Sequence, residues 1–85
     1  MKILYFAWLR SKTGVAGETV ALPKTVKDVA ALKNWLKERG PGFAEAFADD
    51  RTVRAAVNQN FAQPDHPVAD GDEVAFFPPI TGGAR

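Results

Sequence analysis

One long helical pattern lies between two short apolar runs, and this order restricts the folds that the chain can adopt. The first run, Lys2 to Leu9, and the last, Glu73 to Phe77, are rich in aliphatic and aromatic residues, which indicates strands. Between them, apolar residues recur at helical spacing from Thr25 until Gly40 and Pro41 interrupt the pattern. We therefore expect one main helix across a single mixed sheet, with the first and last strands as its central parallel pair.

Shorter segments complete the order of elements. Thr25 is the predicted N-cap of the helix, because its side-chain oxygen can accept from the first backbone N–H groups. Lys33 is expected on the polar face of that helix. The other predicted elements are a loop from Arg10 to Gly17, a strand from Glu18 to Leu22, a brief helical segment from Phe43 to Phe47, a strand from Val53 to Asn58, a turn at Asn58-Gln59-Asn60, a minor strand of Phe61 and Ala62, and a turn at Asp70-Gly71-Asp72.

This order fits an α+β chain with the β-grasp (ubiquitin-like) fold, in which one main helix covers one face of a mixed sheet. The alternative, a ferredoxin-like split βαβ, would need a second substantial helix between the later strands. The 12 residues from Asn58 to Ala69 contain two prolines and cannot easily supply one. We predict one β-grasp domain over residues 1–77, followed by a flexible C-terminal tail over residues 78–85.

Composition excludes several kinds of site. Eleven Lys and Arg against ten Asp and Glu give a net charge of +1, which is too balanced to indicate a nucleic-acid-binding protein. Cysteine is absent, which excludes disulfides, zinc–thiolate sites and thiol nucleophiles, and the single histidine, His66, is expected in a turn. The longest apolar run, Ile3 to Leu9, is far shorter than the roughly 20 residues of a membrane span. With no secretory signal evident, we expect a cytoplasmic protein that does not bind membranes.

The C-terminal tail is the most unusual feature of the sequence. Pro78 and Pro79 end strand pairing and stiffen the exit from the sheet, and the side chains of Ile80 and Thr81 can be gripped by a partner. Gly82-Gly83 is backbone without side chains, which can enter a channel too narrow for a β-carbon. Six extended residues reach roughly 20 Å. A Gly-Gly end alone would equally fit a frayed terminus, so the prediction depends on its combination with the closing strand and the two prolines.

Several motifs match one known family. They are AVNQ at 56–59, DHP at 65–67, the run DGDEVAFFPPITGG at 70–83, and YFA followed by LR in the first predicted strand. Together they closely resemble the small subunit of molybdopterin synthase, the MoaD family, over essentially the whole chain. Related sulfur carriers for thiamine share the fold and the Gly-Gly end, but they typically lack the Phe-Phe-Pro-Pro run.

The resemblance implies a sulfur carrier. In the family, an E1-like activating enzyme, MoeB, uses ATP to adenylate the terminal glycine, which then becomes a thiocarboxylate; the matching residue is Gly83, preceded by Gly82. The loaded tail inserts into the large subunit, MoaE, where two sulfur transfers to cyclic pyranopterin monophosphate build the dithiolene of molybdopterin. The resemblance implies no stably bound cofactor, no catalysis by this chain alone, and a heterotetramer of two small and two large subunits.

A set of aromatic and tail residues is predicted to contact the partners. In a β-grasp domain the helix leaves one sheet face open, and apolar residues on such a face indicate an interaction site. The resemblance places three phenylalanines at the contact with the large subunit and, overlapping it, with the activating enzyme. Trp8, expected on the same strand face as Phe6, is left open between interface and core. The predicted interface comprises Phe6, Phe61, Phe77, Pro78, Pro79, Ile80 and Thr81.

The sequence departs from the family after Gly83, because Ala84 and Arg85 follow it. An amide bond to Ala84 cannot be adenylated as a carboxylate can. We expect either that a protease removes the two residues or that they are an artificial extension; the alternative is an inactive relative. Three other functions stay open: a carrier for another pathway such as thiamine, a ubiquitin-like modifier conjugated to lysines through Gly83, and a passive binding module that uses only the open aromatic face.

Overall fold

The computed structural model describes residues 1–79 as a five-stranded mixed sheet with helices on one face. The predictions for Ile80, Thr81, Gly82 and Gly83 therefore lie outside the described residues. In chain order the elements are β1 (Lys2–Tyr5), α1 (Trp8–Thr13), β2 (Gly17–Thr19), α2 (Val29–Lys37), α3 (Pro41–Ala46), a 3-10 turn (Asp50–Thr52), β3 (Arg54–Val57), β4 (Asn60–Ala62) and β5 (Glu73–Phe77).

The strand order confirms the predicted topology. The strands lie in the order β2-β1-β5-β3-β4, so the first and last strands form the centre of the sheet. They pair in parallel, with Lys2 opposite Glu73 and Tyr5 opposite Phe76, whereas the other neighbours are antiparallel. Because β5 is central, the chain leaves the sheet from its middle at Phe77.

The core lies between the sheet and the helices. Alternate residues of the central strands point toward it, including Ile3, Tyr5 and Phe76, and Leu32 of α2 is also fully buried. The rings of Phe47 and Phe76 meet edge to face with centroids 5.0 Å apart. Burial raises the pKa of the Tyr5 hydroxyl, which donates to the Glu18 carboxylate at 2.7 Å. This buried hydroxyl is thus neutral and has its hydrogen-bond partner.

The first predicted strand is too long. Strand β1 ends at Tyr5, the chain turns at Ala7, where φ is 56°, and Trp8 begins α1. The predicted loop from Arg10 to Gly17 is therefore partly helical. The helix buries Leu9 in the core, and an apolar run of this length has no period that separates strand from helix.

The main helix begins later than predicted. Its N-cap is Asp28 rather than Thr25: the Asp28 carboxylate accepts from the Ala31 N–H at 2.8 Å. The first two N–H groups of the helix donate to carbonyls of the loop after β4, Val29 to His66 at 3.1 Å and Ala30 to Pro64 at 2.9 Å. These long-range bonds fix the start of the helix.

The later boundaries shift for similar local reasons. Helix α2 ends at Lys37, and Pro41 begins α3 as a first-turn proline instead of ending α2. The brief helical segment is confirmed, beginning earlier than predicted. The strand predicted at Glu18–Leu22 is Gly17–Thr19, and the one predicted at Val53–Asn58 is Arg54–Val57.

Lys33 was wrongly expected on the polar face. It is buried, and its ammonium donates to Asp50 Oδ1 at 2.8 Å and to the Val53 carbonyl at 3.0 Å. Both partners belong to the segment before β3, which the helical pattern alone does not place. The pairing satisfies a buried charge and a buried carbonyl together.

Within residues 1–79, no helix is long and apolar enough to cross a membrane.

Candidate partner-binding site

The sheet face away from the helices, here called the open face, has two alanines opposite each other at its centre. Across the strands, Leu4 lies opposite both Gly17 and Ala75, Ala75 lies opposite Ala56, and Ala56 lies opposite Phe61. Residues opposite one another share a face, so this row runs the full width of the sheet. Phe61 lies at one edge of this row, next to Ala56.

Phe61 and Phe77 form an exposed aromatic pair. Their ring centroids lie 5.8 Å apart, and Phe61 is 79% exposed. The turn at Asn58 and Gln59 fixes this geometry, because both residues have positive φ, at 51° and 72°, as a two-residue hairpin turn requires. The turn sets the register that brings Phe61 opposite Ala56 of β3, and the Phe61 ring meets the Phe77 ring of β5 across that strand.

Phe6 lies beside the end of β5. Its backbone N–H donates to the Phe76 carbonyl at 3.0 Å, which extends the parallel register so that Phe6 neighbours Phe77. The Phe6 side chain is 49% exposed. Trp8 is also exposed, but it begins α1, so the predicted strand face shared by Phe6 and Trp8 does not exist.

The prolines follow directly from this aromatic end of the face. Pro78 and Pro79 are half-buried and lie outside β5, because proline has no N–H to donate to the ladder. The structure thus brings Phe6, Phe61 and Phe77 together where the tail begins.

The opposite end of the open face is polar. Asp72 accepts from the Asn58 side-chain amide at 3.0 Å and from the Ala69 N–H at 2.8 Å, and Glu73 N–H donates to Asn58 Oδ1 at 3.0 Å. The bond from the Asn58 amide and, after it, the bond from the Ala69 N–H hold the pKa of Asp72 below its usual value. They also confirm the predicted turn at Asp70-Gly71-Asp72. The face therefore runs from a charged end to an aromatic end.

Arg54 is a site residue that the sequence reasoning missed. It lies directly opposite Phe77 at the beginning of β3 and is exposed. Because side chains alternate along a strand, its position two residues before Ala56 could have placed it on the open face.

The described residues offer no metal site. Among residues 1–79, no three His, Cys, Asp or Glu side chains come together as a group that could hold a metal ion. His66 lies in the turn after β4, where its N–H donates to the Gln63 carbonyl at 3.0 Å and its Nδ1 lies 2.8 Å from the Pro67 carbonyl. The turn predicted for His66 is confirmed.

Comparison with known proteins identifies the family. A sequence profile of the ThiS family matches residues 3–83. The chain belongs to the ThiS family. Its match ends at Gly83, the residue that the resemblance to MoaD identifies as the end of the tail.

Individual relatives show which members of the ThiS family this chain is similar to. The molybdopterin synthase sulfur carrier subunit of Escherichia coli is 42% identical over 83 residues, which cover 98% of this chain and 99% of that one. A Pyrococcus furiosus protein assigned as molybdopterin converting factor, subunit 1, is 33% identical with a TM-score of 0.75, over 93% of this chain and 95% of that one. The small archaeal modifier protein 1 of Haloferax volcanii is 26% identical with a TM-score of 0.74, over 94% and 97%. These matches confirm the predicted MoaD resemblance and the β-grasp fold.

Proposed function

We propose that this chain is the sulfur carrier of a molybdopterin synthase. The observation that carries the proposal is the point at which the chain leaves the sheet: the central strand β5 ends beside an exposed aromatic cluster, in a chain 42% identical to a molybdopterin synthase sulfur carrier subunit. An apolar surface at the root of a tail can hold a partner while the tail reaches that partner's active site.

The proposed chemistry takes place on the carboxyl group of Gly83, once Ala84 and Arg85 have been removed. A carboxylate oxygen attacks the α-phosphorus of ATP, pyrophosphate leaves, and an acyl adenylate forms. Hydrosulfide then attacks the acyl carbon, AMP leaves and, with loss of a proton, a thiocarboxylate forms. The chain itself has no cysteine, so the sulfur is carried by the main-chain carboxyl, and the partners supply the catalytic side chains.

Two partners follow from this proposal. An E1-like activating enzyme of the MoeB type would use the open face to position the tail for adenylation. A large subunit of the MoaE type would then receive the loaded tail, in a cytoplasmic heterotetramer of two small and two large subunits. Both partners would contact Phe6, Phe61 and Phe77, so they would bind in turn rather than together.

Mass spectrometry tests the proposal directly. The chain ending at Gly83 and the chain ending at Arg85 are each incubated with ATP, the activating enzyme and a sulfur source. Only the form ending at Gly83 should gain the mass that replaces one carboxyl oxygen by sulfur. Adding the large subunit and cyclic pyranopterin monophosphate should return that mass to its starting value and produce molybdopterin.

Two results would overturn the proposal. One is a Gly83-ending chain that never gains sulfur. The other is a sulfur-loaded chain that the large subunit cannot discharge onto the pterin precursor. A loaded chain that discharges only into a thiazole-forming system would indicate a thiamine carrier instead.

A protein modifier is the second candidate, because the chain shares its fold and 26% identity with a small archaeal modifier protein. Activation of Gly83 would be the same, but an amine of a lysine side chain would attack the adenylate. Lysine-linked conjugates of higher mass in the native cells would support this function. A single stable complex with a large synthase subunit, without such conjugates, would support the carrier.

A further inference from the structure

A groove beside the aromatic pair is not used by the proposed sulfur chemistry. It has a volume of about 510 Å³ and opens between the 3-10 turn Asp50–Thr52 and the segment that follows β4. We call it the edge groove. We propose that the edge groove binds an extended segment of a partner protein, with an apolar side chain in the groove and a carboxylate on Arg54.

The groove exists because the chain departs from the sheet at Pro64. Ala55 lies opposite Ala62, so the next hydrogen-bonding position of β3 would pair Val53 with Pro64. Pro64 has no N–H to donate, and its carbonyl instead accepts from the Ala30 N–H at 2.9 Å. The edge of β3 at Val53 is therefore left without a neighbouring strand.

Lys33 closes the bottom of this gap. The Lys33 ammonium donates to the Val53 carbonyl at 3.0 Å, in place of the N–H that Pro64 lacks. The Asp50 carboxylate, at 2.8 Å, balances the charge of the ammonium. The groove is bordered by the buried ammonium of Lys33, by the largely exposed carboxylate of Asp50 and by Pro64, which cannot donate to β3. The edge groove is thus a built feature of the fold.

The floor and the rim of the edge groove differ in character. The apolar part of the floor is formed by Val29, Val53, Ala55 and Ala62, beside the buried Lys33. The rim carries Arg51 and Arg54. The Arg51 guanidinium donates to the Asp49 carboxylate at 3.2 Å. Arg54 has no ion-pair partner within residues 1–79. An apolar floor under an unpaired cation fits an apolar side chain next to a carboxylate.

The strand edge favours an extended segment over a helix. The two-residue turn makes Val57 and Asn60 a hydrogen-bonded pair, so Phe61 is in the alternate position. Its N–H and C=O therefore point away from β3, at the outer edge of β4. A peptide in strand conformation can pair with both groups.

The occupant is identified by its chemistry as a protein segment. A nucleic acid would require more positive charge than one unpaired arginine in a chain of net charge +1. The groove also shares Phe61 and Phe77 with the aromatic cluster, so a protein on the open face could extend a segment into it. This contact goes beyond the proposed function, because it involves neither the tail nor sulfur.

Peptide titration of the full chain tests the proposal. We suggest labelling the protein with nitrogen-15 and adding the blocked peptide Thr-Val-Glu-Val-Thr or its matched control Thr-Val-Lys-Val-Thr. The acidic peptide should shift the amide signals of Arg54, Phe61, Ala62 and Gln63, and the lysine peptide should not. Arg54→Glu should weaken binding of the acidic peptide about fivefold, the loss expected for reversing one exposed charge pair.

Lys24→Glu is the control for net charge, because Lys24 is exposed and does not line the groove. It should change the affinity by less than about twofold. Equal binding of both peptides would overturn the proposal, as would equal effects of Arg54→Glu and Lys24→Glu. Shifts confined to Leu4 and Phe6 on the open face would overturn it as well. Should Arg54→Glu fail to fold, Arg54→Gln gives the same comparison with a smaller expected change.

Discussion

The two faces of the sheet are made from the same strands but have opposite composition. Along β5, Val74 and Phe76 face the helices and are fully buried, whereas Ala75 and Phe77 on the open face are half-buried. The helix-covered face has large side chains that fill the core. The open face has small side chains at its centre and aromatic rings at one end, where Phe61 is the most exposed large apolar residue of those described.

This difference indicates that one face of the sheet contributes mainly to stability and the other mainly to partner binding. Burial of large side chains stabilises the fold, so the helix-covered face should carry most of the free energy of unfolding. The open face offers little burial to the isolated chain, but aromatic side chains, phenylalanine included, are enriched at the surfaces that proteins bury on binding. Substitutions on the two faces should therefore have different effects, even at neighbouring positions.

The largest expected contrast is between Phe76 and Phe77. Phe76→Ala should lower the free energy of unfolding by about 3–5 kcal/mol, because it leaves a cavity beside Phe47. Phe77→Ala should lower it by about 1 kcal/mol or less, yet weaken binding to the large subunit about tenfold or more. Urea unfolding followed by circular dichroism gives the first quantity, and calorimetric titration gives the second.

The pair is its own control, since both changes remove the same atoms. Similar losses of stability would show that the two faces do not differ energetically. Unchanged affinity of Phe77→Ala would remove Phe77 from the interface while leaving the fold as described.

Gly42 tests how closely the elements on the helical side approach. A β-carbon on Gly42 would lie 2.2 Å from the Lys12 carbonyl oxygen, so α1 and α3 can meet only because this residue has no side chain. Gly42→Ala should lower the free energy of unfolding by about 1–3 kcal/mol. The matched control is Gly71→Ala, whose β-carbon would meet nothing within 4 Å. A smaller effect at Gly42 than at Gly71 would contradict the packing of α1 on α3.

Local signals in the sequence predicted much of this arrangement. Each of these signals determines the structure of its immediate neighbours in the sequence. They are the aromatic and β-branched residues of β5, the hairpin turn at Asn58 and Gln59, and the prolines after Phe77. They predicted the last strand, the turn before β4 and the end of strand pairing after Phe77. A turn residue or a proline acts through its own backbone, so its neighbours in the sequence suffice.

The missed features depend on residues far apart in the chain. Lys33 is buried because Val53 lacks a partner strand, and that follows from Pro64. The start of α2 at Asp28 depends on the carbonyls of Pro64 and His66. The apolar residues from Ile3 to Leu9 fit a strand or a helix equally, so only the packing of α1 decides between them.

Asn58 connects the polar end of the open face to the beginning of β5. Asn58→Ala should lower the free energy of unfolding by about 1–2 kcal/mol at pH 7, because it removes two hydrogen bonds and a residue suited to positive φ. The pKa of Asp72 is lowered in the folded chain, so its contribution is present above the unfolded pKa of about 3.9 and is lost as pH falls through the folded value.

The pH profile of Asn58→Ala isolates that carboxylate. Wild type should lose stability from about pH 5 downward, and the variant should lose less over the same range, because Asp72 then has fewer bonds to lose. Asp49 and Asp70 have lowered pKa values too, but they are unchanged in the variant. Parallel pH profiles of the two proteins would show that Asn58 does not set the pKa of Asp72.

The smallest expected effect is at Ala7, in the turn between the end of β1 and the beginning of α1. Ala7 has φ 56° and ψ −133°, a conformation that strains a residue with a β-carbon and that glycine adopts readily. Ala7→Gly should relieve this strain but add freedom to the unfolded chain, for a net stabilisation of about 1 kcal/mol or less in urea unfolding. Because the turn exposes Phe6 and Trp8, the more mobile backbone of the Ala7→Gly variant should also weaken large-subunit binding slightly, less than about twofold. A gain of stability with such a loss of affinity would show that the strain maintains the aromatic surface, whereas a loss of stability would show that Ala7 is not strained.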